Sequence, residues 1–136
     1  MPLNSFGAIL TFAETLESRD AAFYGELAAA GTPYEGFAGE GRKHIQILQR
    51  TRRENVTEMI LEPIQDFTRE PYDTDPGDPS VLAPEEARAA AAALETRAAD
   101  FYRAAAEKMT AQPEVARALR QLAKKRQARL DRLRAG

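Results

Sequence analysis

A short helical phrase occurs twice in this chain: Leu16-Glu17, Ala21 and Phe23-Tyr24 return as Leu94-Glu95, Ala99 and Phe101-Tyr102. In each copy the acid precedes the tyrosine by seven residues, about two helical turns, so both side chains share one face of a helix. A single Glu in an apolar stripe is most simply a solvated residue. The same Glu in two half-molecules implies facing polar groups inside a core, and each then needs a compensating partner. The repeat predicts two related halves that bring Glu17 and Glu95 together.

The 136 residues suffice for one domain with a real core, and residues 1–136 are read as a single unit. Cysteine is absent, which excludes disulfides, Fe–S clusters and thiolate zinc sites. Met1 to Phe12 lacks a basic stretch followed by an apolar run, and no segment approaches the roughly 20 apolar residues of a membrane span. A cytoplasmic protein with no membrane association is the expectation. The net charge of -2 conceals an uneven distribution. Glu54 to Glu86 holds ten acids against Arg69 alone, while Lys108 to Gly136 holds nine Arg or Lys against Glu114 and Asp131. Nucleic acid is not the favoured partner of this basic end, because its cations run within an apolar helical period without aromatic or Gly-rich recognition elements.

Four helices are expected. The first, about residues 5–29, carries Leu10, Ala13, Glu17, Ala21, Tyr24 and Ala28 and ends before Gly31 and Pro33. The second, about 34–62, carries Phe37, Gly41, His44 and Leu48, then Val56, Met59 and Ile60, with Pro63 closing it. The third, about 84–109, opens on Pro84 with Glu85 and Glu86 in its first turn, as suits the helix dipole. The fourth, about 113–134, shows Val115, Leu119, Leu122, Arg126, Arg129 and Leu133 at spacings of three and four, so two arginines interrupt a leucine stripe. Residues 63–83 are too long for a tight turn and suit a crossover pinned by Ile64, Phe67 and Tyr72, with a short helix around Ile64 to Phe67. The fold class predicted is all-α: a four-helix bundle of two helical hairpins joined by a long crossover.

In this arrangement the chain resembles the rubrerythrin branch of the ferritin-like proteins over nearly its whole length. The resemblance implies a Glu before a Phe-Tyr pair in the first and third helices and Glu-x-x-His in the second and fourth, together holding two iron or manganese ions. Glu17, Glu95 and His44 match that pattern. Gly41, Arg126 and Arg129 stand at the other three ligand positions, and a guanidinium, always protonated and without an acceptor, cannot ligate a metal. Glu40 lies about 100° round the helix from Gly41 and is expected to face outward or sideways. Glu17 and Glu95 against Arg126 and Arg129 balance without iron, with His44 neutral.

The expectation is therefore a buried polar centre of Glu17, His44, Glu95, Arg126, Arg129, Tyr24 and Tyr102, with no metal and no other cofactor. His44 bonds a carboxylate, both tyrosines donate hydroxyl hydrogen bonds to polar neighbours, and Gly41 leaves room that Arg126 occupies. The function expected is structural, ligand-binding or interactive, without redox chemistry, in a homodimer formed through a helix face. The alternative is a rubrerythrin-like metal-dependent oxidoreductase or iron-binding protein in which Glu17, Glu95 and His44 hold iron or manganese. No phosphate-cradling Gly loop and no Ser/His/Asp arrangement is present, so no catalytic residue is assigned.

Overall fold

The computed structural model describes residues 3, 5–28, 33–55, 64, 66–73, 75–109 and 111–135. Its four helices are α1 (Phe6–Leu27), α2 (Tyr34–Glu54), α3 (Pro84–Lys108) and α4 (Pro113–Ala135). α1 packs along α2 and α3 along α4, and the two hairpins meet through α2 with α4 and α1 with α3. The architecture is an all-α four-helix bundle whose hairpins are joined by a long crossover.

Local chemistry sets the helix ends. Ser5 caps α1, its Oγ accepting from the Ala8 N–H at 3.1 Å. α3 starts on Pro84, whose missing N–H costs nothing in a first turn, and the Glu86 carboxylate accepts from the Ala83 N–H at 2.8 Å. α2 is shorter than its stripe predicts. It stops at Glu54, where Asn55 leaves the helical region and its Nδ2 donates to the Thr51 carbonyl at 2.9 Å. Arg52 and Arg53 complement the dipole in this last turn. Val56, Met59, Ile60 and the closing Pro63 lie outside the described residues, as do Ala29, Ala30, Gly31 and Thr32 between α1 and α2.

Among the described residues of the crossover, Ile64, Asp66 and Phe67 are not helical, in contrast to the short helix expected there. Asp66 has φ +55°, a left-handed conformation that a helical turn does not accommodate. Phe67 is instead anchored by the Leu3 N–H, which donates to its carbonyl at 2.8 Å, and by stacking on Phe101 with ring centroids 6.0 Å apart. Tyr72 meets Phe101 edge-on at 5.5 Å. A 3-10 turn at Pro79–Val81, capped by Asp78, leads into α3.

Two apolar clusters fill the bundle. One gathers Leu10, Phe12, Phe101, Leu119 and Leu122; the other gathers Phe23, Tyr24, Phe37, Leu94 and Leu133. Buried alanines on α3, among them Ala91, Ala98 and Ala105, let α4 approach closely. On α1, Glu17 and Asp20 fall between the residues that serve the two clusters, so the polar residues form a layer between apolar ends.

A buried ion-pair centre

Arg126 lies at the middle of this layer and is fully buried, its side chain 0 % exposed. Leu119 and Leu122 place it on the inner face of α4, one turn beyond Leu122. Its Nη1 donates to Glu17 Oε1 at 3.0 Å, and its Nη2 to Asp20 Oδ2. Its Nε approaches Glu95 Oε1 at 2.8 Å, an ion contact in which neither atom is aligned for a hydrogen bond. One guanidinium thus faces three carboxylates from α1 and α3. Burial works against its charged form, but Glu17, Glu95 and Asp20 outweigh that and hold it protonated far above the ordinary arginine range.

The two copies of the repeated phrase cross over each other. Tyr102 of α3 donates to Glu17 Oε2 at 2.6 Å, and Tyr24 of α1 donates to Glu95 Oε2. Each acid is therefore held by the tyrosine of the other half. Both phenols are raised above their ordinary value, by burial first and by the neighbouring carboxylate second, so they remain donors. His44 on α2 bonds Glu17 Oε1 through Nδ1 at 2.9 Å. Burial alone would raise the Glu17 carboxyl, yet Arg126, His44 and Tyr102 hold it down at about 2.

Arg129, also buried, sits at the edge of the layer. Its Nη1 is 3.6 Å from Glu95 Oε2, its Nε donates to Glu40 Oε2 at 3.2 Å, and its Nη2 donates to the Phe37 carbonyl at 3.4 Å. The guanidinium also lies 5.1 Å from the Phe37 ring centroid. Glu40 is turned sideways and partly exposed, in contact with Arg129.

Two features differ from the sequence reading. Asp20 is a third buried carboxylate, so the count of two acids against two arginines is incomplete. Burial and the neighbouring Glu17 raise Asp20 from 3.8 to about 6 despite Arg126, and its Oδ1 has no hydrogen-bond partner among the described residues. The signal was its place one turn after Glu17 on the same face. The second difference concerns Gly41, which does not make room for Arg126. A Cβ there would lie 2.7 Å from the Ala21 Cβ and 3.6 Å from the Glu17 carbonyl. Gly41 is required by the close approach of α1 and α2.

These residues do not fit a pair of divalent cations. The carboxylate oxygens that would coordinate metal already face Arg126 or accept tyrosine hydrogen bonds; of the remaining ligand positions on α2 and α4, His44 is bonded to Glu17, while Gly41, Arg126 and Arg129 offer no ligand atom. Among the described residues, no group of three or more His, Asp or Glu is arranged to hold a metal ion. Nor, among them, is any helix long and apolar enough to cross a membrane. No protein-family model, no curated protein and no solved structure matches the chain.

Proposed function

We propose that this chain is a ferritin-like bundle of the rubrerythrin type in which a buried ion-pair network has taken the place of a dimetal centre. It acts as a structural, ligand-binding or interaction protein in the cytoplasm, without redox chemistry of its own. The observation that carries this reading is the fully buried Arg126 facing Glu17, Asp20 and Glu95. A metal placed among the same oxygens would meet a fixed positive charge within ion-pair distance, and that repulsion in a poorly solvated interior disfavours loading. The reciprocal bonds Tyr24 to Glu95 and Tyr102 to Glu17 support descent of the two halves from one metal-binding plan, because they survive where the other ligands do not.

The oxidoreductase alternative requires Glu17, Glu95 and His44 to converge on one ion, but Arg126 stands between the two carboxylates and His44 touches only Glu17 of the pair. A homodimer remains part of the reading, and its interface would be polar, since Val81 is the one large hydrophobic exposed among the described residues.

Elemental analysis of protein produced with iron and manganese in the medium tests the proposal. Well under one metal ion per chain is expected, with unfolding unchanged by chelator. Stoichiometric metal that disappears with Glu17→Gln or Glu95→Gln would overturn it.

A further inference from the structure

His44 belongs to the buried centre and also borders a groove that opens to the surface. It lines an open groove of about 810 Å³ whose rim is formed by α2 and by Lys125 of α4. Nδ1 is bonded to Glu17, so Nε2 is the ring nitrogen that this carboxylate does not engage. Around it stand four cations, Lys43, Arg50, Arg53 and Lys125, with Gln46 as a further polar group. The acid in the lining, Glu40, is engaged by Arg129. Lys43, Arg53 and Lys125 have no acidic partner among the described residues, and Arg50 has only an exposed contact with Glu54 at 3.8 Å.

The groove has a shape as well as a charge. Lys43, Gln46, Arg50 and Arg53 follow one another at helical spacing along one face of α2 and span about 15 Å at 1.5 Å per residue. Like charges on one face destabilise an isolated helix, and an anion laid along them relieves that repulsion. A single small anion would engage only part of such a row, whereas a linear polyanion engages all of it. No Phe, Tyr or Trp lines the groove, and the His44 ring is almost wholly buried and bonded to Glu17, so no open platform is offered to a nucleobase.

We propose that the α2–α4 groove binds a short linear phosphate chain, its oxygens held by Lys43, Arg50, Arg53 and Lys125, with His44 at the floor. The site goes beyond the functional reading above and does not depend on it, because the groove and its charges stand whether or not the interior once held metal. The same chemistry is offered by free inorganic oligophosphate and by the phosphate tail of a nucleotide.

Calorimetric titration of the full chain at low salt with tripolyphosphate, orthophosphate and ATP distinguishes these sources. Tripolyphosphate is expected to bind at least tenfold more tightly than orthophosphate, and ATP no more tightly than tripolyphosphate. Both Lys43 and Lys125 are exposed, so K43A/K125A is expected to keep its helical circular dichroism while losing at least tenfold in affinity. K124A, on the α3–α4 side, is expected to change nothing. His44 is the chain's one histidine, so its ring resonances report on the site directly. They should shift when tripolyphosphate binds the unmodified protein. Undiminished binding by K43A/K125A, an equal loss in K124A, or unmoved His44 resonances at saturation would each overturn the site. Tighter binding of ATP would overturn the assignment to the phosphate chain alone.

Discussion

The α1–α2 hairpin brings Glu17, Asp20 and His44 into the interior, whereas α3–α4 brings Glu95, Arg126 and Arg129. The parts that repeat are symmetric: each Glu is bonded by the tyrosine of the opposite hairpin. The parts that do not repeat are opposite in charge. Neither hairpin satisfies its own polar layer, since the first holds two carboxylates without an arginine and the second holds two guanidinium groups against one carboxylate. Burying either hairpin alone would strand charge in a low-dielectric interior, so correct docking of the halves is the arrangement in which every charge meets its opposite. Such a network specifies which faces meet more than it adds net stability, because the desolvation of its members offsets much of their attraction.

The largest effect expected is therefore from removing the guanidinium that faces carboxylates of both hairpins. Arg126→Ala leaves Glu17, Asp20 and Glu95 together in the interior without their shared cation, and should destabilise the fold by about 3–5 kcal/mol. Urea denaturation near neutral pH measures it. A loss below about 1 kcal/mol would mean that the halves dock by apolar packing alone and that the opposition of charge is incidental.

The burial of Glu17 and Glu95 was legible because the same acid recurs within an apolar stripe, and that of Arg126 and Arg129 because they interrupt leucines at helical spacing. Asp20 was less so: it lies one turn after Glu17 on the same face, but its counterpart in the second copy is Ala98, and an unrepeated acid reads as solvated. Gly41 was misread because periodicity shows which face a residue occupies but not how near the facing helix comes, and only the 2.7 Å approach to Ala21 reveals its purpose. The end of α2 was hidden because a hydrogen-bonded Asn55 ends a helix without the Gly or Pro that sequence reading looks for. Crossover residues Phe67 and Tyr72 were readable as anchors, but the positive φ of Asp66 is a local conformation that no periodic pattern records.

The charge asymmetry has a pH signature, which Asp20→Asn isolates. In the fold Asp20 is raised from 3.8 to about 6, so the native protein retains a proton that the unfolded chain has lost. Its contribution to stability is present below about pH 4 and is lost as pH rises through about 6. Glu17 acts in the opposite sense: held at about 2 against 4.5, it stabilises above about pH 4.5, and that is lost as pH falls toward 2. Asp20→Asn should abolish the decline between pH 4 and 6 while leaving the acid limb, and should raise stability at pH 7 by about 1–2 kcal/mol, since Glu17 and Glu95 still neutralise Arg126. Melting curves across pH 3 to 8 decide it. A destabilised variant would show that the first hairpin needs both acids.

The α1–α2 hairpin is drawn close at this layer, and Gly41→Ala probes that approach. Alanine improves helix propensity by about 1 kcal/mol, but here its Cβ collides with Ala21, and separating α1 from α2 should outweigh the gain and leave a net loss of about 1 kcal/mol. Adding Ala21→Gly should recover packing in a double-mutant cycle. Additive losses would deny the contact. For the same reason, rebuilding a dimetal set with Gly41→Glu, Arg126→Glu and Arg129→His requires Ala21→Gly as well, and Mn(II) should stabilise the quadruple variant more than the triple one.

The smallest effect is expected one residue from the largest. Lys125 is exposed while Arg126 is wholly buried, because successive residues on α4 differ by about 100° in direction. Lys125 has no acidic partner among the described residues, and its long side chain ends in solvent. Lys125→Ala removes no buried contact and replaces one good helix former with a better one, so its effect should stay below about 0.5 kcal/mol in the same urea titration that unfolds Arg126→Ala. Comparable losses at both positions would mean that α4 is rotated from the facing described, and the assignment of its cations to the interior and to the groove would fail together.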